Sequence, residues 1–392
     1  MAVIGAGPAG SAAALLLARA GLATVMLDST NGETERIGES LPPVANRLLC
    51  DLGIWDAFCR QEHFPAQGTE SVWADGERRT NDFFLSPHGS GWNLDRNRFD
   101  AMLIEESAKA GTEVLHGARI TSRSKGKKDR WSLSFTYRGE ACSVDVRYLV
   151  DATGKTGTPA LSHLSKRFVM DKLIAAAKVF RCDDMSRYTL VEAVDQGWFY
   201  SGCLPRGRMV VMYFTDADIY AHGNRCVSDY WCAQLAKAKH TRSRLLSGSV
   251  ASRLKIVSAA TSRKTEVQGE GWIAVGDAAH SFDPLSSLGI YKALDSSTRA
   301  CGTILEVLTR RNSNSAYQSW SDETFRHYLR HRTDFYGMNR RFSDFTFWKR
   351  RREIAAFEGT SSLHGKSQCA GARLVPQSAR GKTPDQRSLA QT

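Results

Sequence analysis

No apolar run in this chain reaches the roughly 18–20 residues that a spanning helix needs, so a membrane bundle is excluded. The apolar opening, residues 2–27, is broken by glycines and has no basic leader, so it does not read as a signal peptide. There is no CxxC pair. The nine cysteines (Cys50, Cys59, Cys142, Cys182, Cys203, Cys226, Cys232, Cys301 and Cys369) are odd in number and scattered. That pattern argues against a disulfide framework or a metal site and fits a reducing cytoplasm. No internal repeat is visible. Ordinary apolar and charged contents of 42% and 24% exclude collagen and wholesale disorder.

The 392 residues exceed one usual domain and suggest two intertwined ones. The net charge of +12 permits anionic partners without choosing among them. Its placement is uneven: residues 299–352 hold 12 Lys and Arg against 5 Asp and Glu. No nucleic-acid module accompanies them, so no nucleic-acid partner is expected, and the region reads as a solvated helical face or a docking surface.

What is present begins at once. Ala2–Ile4 reads as a short strand, residues 5–10 as a glycine turn, Ser11–Ala20 as a helix and Ala23–Leu27 as a second strand ending at Asp28. This is a βαβ unit with a GxGxxG loop and an acid 18 residues after Gly10. Gly5 permits the sharp turn, Gly7 lets backbone N–H groups approach a pyrophosphate, and Gly10 lets helix and sheet pack closely. Asp28 is placed to accept ribose hydroxyls. The first strand starts at residue 2, so either it is short or the natural start lies upstream.

Further elements follow in order. Arg36–Pro43 is a loop, RIGESLPP. A helix is predicted over about 44–58. Leu94–Gly111 is an amphipathic helix with Asp95 as N-cap, leading into a strand at Glu113–Leu115. Residues 118–146 read as antiparallel strands around the charged turn KGKKDR. Arg147–Ala152 is a buried strand opening into DATG. Residues 165–265 alternate aromatic and β-branched residues, a mainly antiparallel sheet with a helix near Val227–Lys239. Gly271–Ile290 returns to strand, loop and helix start, and arginine-rich helices occupy about 291–355. Residues 359–392 have the composition of a disordered tail.

Taken together, GxGxxG, the R-x-x-F-D run Arg96–Asp100, DATG at Asp151–Gly154 and GDAAHSFDPLSSLGI at Gly276–Ile290 resemble the FAD-binding pattern of flavoprotein monooxygenases of the p-hydroxybenzoate hydroxylase type. The resemblance spans roughly residues 1–352. It implies an α/β (α+β) fold with a Rossmann-like FAD-binding domain made of 1–64, 94–164 and 266–300. A mainly antiparallel substrate domain of 65–93 and 165–265 and C-terminal helices over 301–358 complete it. By the same resemblance, Gly5, Gly7 and Gly10 hold the pyrophosphate and Asp28 the adenosine ribose. Arg96 reaches the phosphate or ribityl region, and Asp151, Thr153 and Gly154 lie beside the pyrophosphate. Gly276 and Asp277 contact the ribityl or phosphate groups. Pro284 to Ile290 line the isoalloxazine, with the N–H groups of Leu288, Gly289 and Ile290 near the N1–C2=O edge. A helix N-terminus there opposes the negative charge of reduced flavin. His280 is expected to pack at the cofactor rim rather than act as a base. One dinucleotide fingerprint alone is visible, so NAD(P)H visits transiently or another reductant such as reduced flavin serves.

Four segments are similar to a tryptophan-halogenase-related branch: GESLPP (Gly38–Pro43), GWFYSGCLP (Gly197–Pro205), FDPLSSLGIYKAL (Phe282–Leu294) and FTFWKRR (Phe345–Arg351). That branch includes flavoproteins that hydroxylate a tryptophan in an amino-acid oxidase precursor, so that cysteine tryptophylquinone can form. The implied chemistry is O₂ activation as a flavin C4a-hydroperoxide, attacked by an electron-rich ring in a dry pocket. Trp198, Tyr200 and Tyr213 are candidates for the substrate pocket; Glu39 and Pro284 are the catalytic candidates. Halogenases carry a WxWxIP segment and an activating lysine; the first is missing here, and Phe64–Gly76, where the lysine is expected, contains none. The alternatives are a geranylgeranyl-reductase-like FAD enzyme of a hydrophobic small molecule, a halogenase, and a non-catalytic flavin-bound chaperone of a precursor.

Overall fold

The structure, a computed structural model, describes residues 1–352 except 32–35, 127–129, 184, 222–226, 247 and 311–314. The expected tail at 359–392, the helical residues expected at 353–358, the centre of the KGKKDR turn, Cys226 and Cys369 lie outside the described residues.

The strand Ala2–Ile4 pairs in parallel with Val25–Asp28 on one side and Leu149–Asp151 on the other. Glu113–His116 and Trp272–Ala274 extend this sheet in parallel, and Gln268–Gly269 closes one edge antiparallel. The runs AVI, LVD and WIA are buried at every position, because helices or loops cover both faces of a parallel sheet. The helix Pro8–Arg19 starts with proline at its first turn, where no N–H is needed. Its alanine-rich face lets the helix Gly289–Arg310 approach closely: Ser297 Oγ donates to the Ala9 carbonyl at 2.7 Å. Segments nearly 290 residues apart in sequence thus form one layer.

The helix expected over 44–58 is two helices, Ala45–Asp51 and Trp55–Cys59. Gly53, at φ +62°, turns the chain between them. Asp95 caps the helix Arg96–Lys109 by accepting from the Arg98 N–H.

The substrate half is an eight-stranded sheet running through Leu173–Arg181, Arg208–Asp216, Gly197–Leu204, Tyr188–Val194 and Gly68–Val72. Most pairings are antiparallel; Tyr188–Val194 and Gly68–Val72 run in parallel. Two-residue alternation splits its central strands into two cores. Trp198, Tyr200, Met212 and Phe214 face one way, and Phe199, Val211 and Tyr213 the other.

The C-terminal region backs this sheet. After the helix Ala316–Gly337, residues 346–352 are again helical. Trp73 Nε1 donates to the Phe335 carbonyl at 2.7 Å, Asn339 to the Trp73 carbonyl at 2.8 Å, and Trp348 Nε1 to the Val194 carbonyl at 2.9 Å. The arginines here do not form only a solvated face. Arg332 and Arg351 are buried, the latter 1% exposed with its guanidinium on Asp216 at 2.8 Å. Arg350 reaches the same carboxylate at 2.9 Å. Among the described residues, no helix is long and apolar enough to cross a membrane.

Removing one partner of a buried ion pair leaves the other charged and unsolvated. Asp216→Ala is therefore expected to lower unfolding stability by about 3–5 kcal/mol, measured by urea denaturation. A loss within about 0.5 kcal/mol, the level of ordinary surface changes, would show that the C-terminal segment is not anchored this way.

Candidate active site

A cleft of about 1000 Å³ runs between the parallel sheet and the antiparallel sheet. Its two ends differ in chemistry. Asp28, the GxGxxG loop, Arg36 and residues 152–160 line the first. Trp198, Tyr200, Met212, Phe214, Lys255 and Val257 line the second. Glu39, Arg96, Asp277 and the turn at 282–290 lie among the remaining lining residues.

The first end is built by glycine. Gly5 has φ +107°, and a Cβ there would stand 2.4 Å from the Ala152 carbonyl oxygen. A Cβ on Gly10 would stand 1.8 Å from the Gly5 carbonyl oxygen. Only glycine lets the turn fold back under its own helix and beside the Ala152 loop. Gly7 is the N-cap of that helix, and a Cβ there would meet the Arg36 guanidinium at 3.3 Å. The positive helix end and Arg36 therefore face the same point of the cleft, a fitting place for an anion. Asp28, at the end of its strand, accepts from the Thr30 hydroxyl at 2.7 Å.

Three carboxylates sit at the ends of parallel strands, and two are paired with lysines from distant segments. Asp151 accepts from Lys264 Nζ at 2.5 Å and from the Thr153 hydroxyl at 2.6 Å. It does not line the cleft; Thr153 and Gly154, which follow it, do. Asp277 lines the cleft and accepts from Lys292 Nζ at 2.7 Å. Burial alone would push its carboxyl up, but the ammonium groups of Lys292 and Lys155 outweigh this and hold it below the usual range. Arg167, which sequence reasoning missed, donates to the carbonyls of Gly154, Asp277 and Ala278, stitching two cleft loops together.

Arg96 lines the cleft with all three guanidinium nitrogens engaged: on the carbonyls of Ile37 and Gly38 and, one turn along its helix, on Asp100. Arg36, overlooked in the sequence, is the guanidinium beside the GxGxxG loop, and it pairs with Asp100 at 3.1 Å. Two arginines, Arg36 and Arg96, thus share Asp100 and both line the cleft.

The turn before the helix Gly289–Arg310 is stiff. Asp283 accepts from the Leu285 N–H at 3.0 Å, Pro284 follows it, and Ser287 sits at φ +51°. A non-glycine residue in the left-handed region is held there by its surroundings. Pro284, Ser287, Gly289 and Ile290 line the cleft, while Gly276, Leu288 and Gly10 do not. His280 is buried behind this turn, stacked on Phe282. Burial, aided by Lys292, lowers its pKa to about 3, so it is neutral.

Glu39 lines the same cleft and is 4% exposed, with Oε2 lacking a hydrogen-bond partner. Burial raises its pKa to about 7 against the opposing pull of Arg96. The aromatic wall consists of Trp198 stacked on Phe214, centroids 3.9 Å apart, with Tyr200 and Met212 beside them. Tyr213 lies on the opposite face of the sheet, with its hydroxyl on the Gln196 carbonyl. Register explains this: Trp198 pairs with Phe214, and Tyr200 with Met212, so the residue between them points away. Strand parity, applied from Trp198, was the signal that could have found Phe214 and Met212.

An acid for ribose hydroxyls, a glycine cradle with a helix end and Arg36 for phosphates, and a helix N-terminus at Gly289 suit FAD as a donor set. Comparison with known proteins agrees. A family model described as "FAD binding domain" matches residues 1–330. LodB of Marinomonas mediterranea, named an FAD-dependent oxidoreductase, is 27% identical over 92% of this chain and 98% of its own length. Among solved structures, the myxobacterial chondrochloren halogenase CndH superposes with a TM-score of 0.82 at 22% identity, over 92% of this chain and 90% of that one. QhpG, described as a peptidyl tryptophan dihydroxylase essential for tryptophylquinone cofactor biogenesis, gives a TM-score of 0.73 at 25% identity, over 90% and 78%.

Arg36→Met keeps the stem and removes the charge. It is expected to weaken FAD binding about tenfold, roughly 1.4 kcal/mol, in a fluorescence titration of apoprotein. Unchanged affinity would mean that Arg36 does not meet the phosphates.

Proposed function

The chain belongs to the FAD binding domain family and is an FAD-dependent enzyme, and from that premise we propose that it is a monooxygenase of an aromatic ring, with a tryptophan of a precursor protein as substrate. One observation carries this reading: a buried carboxyl with an unpaired oxygen, Glu39, shares a cleft with the stacked Trp198–Phe214 wall and the stiff turn at Pro284. Bound FAD, reduced by NAD(P)H or by reduced flavin from elsewhere, would supply activated O₂.

The chain's own residues do the rest. The glycine cradle, Arg36 and Asp28 bind the cofactor's anionic and ribose parts. The stacked pair Trp198 and Phe214 lines the cleft as an aromatic wall against which a ring can pack. Met212 and Val257 add apolar surface that excludes water. A ring carbon that gains oxygen must lose its proton to recover aromaticity, and Glu39 is the base assigned to take it. A carboxyl titrating near 7 is matched to that task at neutral pH. Indole is an electron-rich ring suited to such attack. The likeness to QhpG supports a protein-borne tryptophan. Among the described residues the cysteines are thiols rather than disulfides, in keeping with a reducing cytoplasm as the proposed location.

Halogenation is the second reading, favoured by the likeness to CndH and by Lys255 on the substrate-side wall. The two separate by mass spectrometry of a tryptophan peptide incubated with reduced protein, O₂ and chloride. Hydroxylation adds one or two oxygen atoms. A chlorine isotope pattern would overturn the proposal, and a Lys255→Ala variant should leave oxygen addition intact. Glu39 acts as a base in its ionised form, so turnover should rise as pH passes upward through about 7. Glu39→Gln should remove that rise and lower kcat about 10²–10⁴-fold.

A further inference from the structure

The turn that faces the expected flavin ring is held from behind by the last long helix. Asp283, 1% exposed, accepts the Tyr336 hydroxyl on Oδ2 at 2.8 Å, and Arg332 Nε approaches the same oxygen at 3.4 Å. Arg332 reaches on to Asp171 at 2.9 Å. Tyr336 in turn accepts from Trp198 Nε1 at 3.0 Å. A second tyrosine of the same helix, Tyr328, accepts from the Asp283 N–H at 2.7 Å. The result is a buried chain, Trp198 to Tyr336 to Asp283, whose ends both line the cleft while Tyr336 itself does not.

The chemistry of the link is specific. Tyr336 uses its one proton on Asp283 and a lone pair on Trp198. Burial, with the Asp283 carboxylate beside it, raises its pKa well above the usual phenol value, so that proton stays in place. The guanidinium groups of Arg332 and Arg351 lie 5.2 and 5.3 Å from the ring centre. Arg351 is paired with Asp216, while Arg332 lies between two carboxylates, Asp283 and Asp171. Positive charge on that site is therefore shared, and the Tyr336 hydroxyl carries part of the neutralisation of Asp283.

We propose that Tyr336 and Arg332 are positioning residues that fix and partly neutralise the Asp283 carboxylate at the flavin turn, so that the last long helix sets the cofactor's reduction potential and ties it to Trp198 of the substrate wall. The proposal rests on the FAD-dependent reading above for the presence of flavin and is independent of what the substrate is. Reduced flavin is anionic at N1, so any gain of negative potential at this turn disfavours it.

Potentiometric titration of the FAD-loaded protein, without substrate or O₂, tests this. Tyr336→Phe preserves volume and removes the donor, so the midpoint potential should become more negative. Asp283→Asn removes the charge and should make it more positive. Opposite signs separate an electrostatic role from general loosening, which would move both alike. An unchanged midpoint in Tyr336→Phe, or shifts of the same sign, would overturn the proposal. If Asp283→Asn does not retain FAD, Asp171→Asn replaces it: it removes the carboxylate that shares Arg332 with Asp283, so it should shift the midpoint positive, opposite to Tyr336→Phe, and a negative shift or none would overturn the proposal. Trp198→Phe tests the second half: combined with Tyr336→Phe it should add no further shift, as members of one hydrogen-bonded chain behave. Additive shifts would sink the tie to Trp198. Since no oxygen is admitted, failure of the monooxygenase reading would show elsewhere, in the mass of the peptide product.

Discussion

Carboxylates that are buried must be paired, and this constraint organises the cofactor half of the molecule. A parallel sheet delivers its strand ends to one edge, and here three strands end in or lead to aspartate: Asp28, Asp151 and Asp277. Asp151 and Asp277 would be unstable alone in that setting. Lys264 and Lys292 supply the opposite charges, Lys264 from 113 residues further along the chain. The acids that serve an FAD site thus also dictate that remote segments converge. The strands of the parallel sheet accordingly come from segments far apart in sequence.

The substrate side follows a different rule. Strand parity places Trp198, Tyr200, Met212 and Phe214 on the face that lines the cleft and hides their neighbours. A stacked pair such as Trp198 and Phe214 gives orientation without demanding polar groups of the ring it meets. The loop that carries Glu39 is held by Arg96 through the Ile37 and Gly38 carbonyls rather than through the carboxyl itself. This leaves one carboxyl oxygen available in a dry site.

The βαβ unit and the Asp95 cap are legible from local spacing, while the cleft residues Asp28, Glu39, Thr153, Trp198, Tyr200 and Asp277 are reached through the resemblance to the flavoprotein pattern. What escaped depends on long-range geometry. Tyr213 is a plausible wall aromatic by composition and is excluded only by its pairing with Phe199. Arg36 and Arg167 lie in loops without a motif of their own, and only the folded chain brings them against glycine and carbonyl groups. The continuous helix expected over 44–58 fails at Gly53, where one glycine at φ +62° outweighs the apolar pattern around it. The basic C-terminal region read as surface charge, yet Arg332 and Arg351 are interior, since their carboxylate partners come from residues 171, 216 and 283.

The backing of the aromatic wall has a consequence for how the chain is made. Trp73, Val194 and Asp216 each wait for a partner between Phe335 and Arg351. At about 5–20 residues per second, the strands of the wall leave the ribosome on the order of ten seconds before the segment that covers them. During that interval the Trp198 face is an open apolar surface in a nascent chain. The molecule is sealed by its last described turn, so translation finishes the substrate site after the cofactor cradle has already been synthesised.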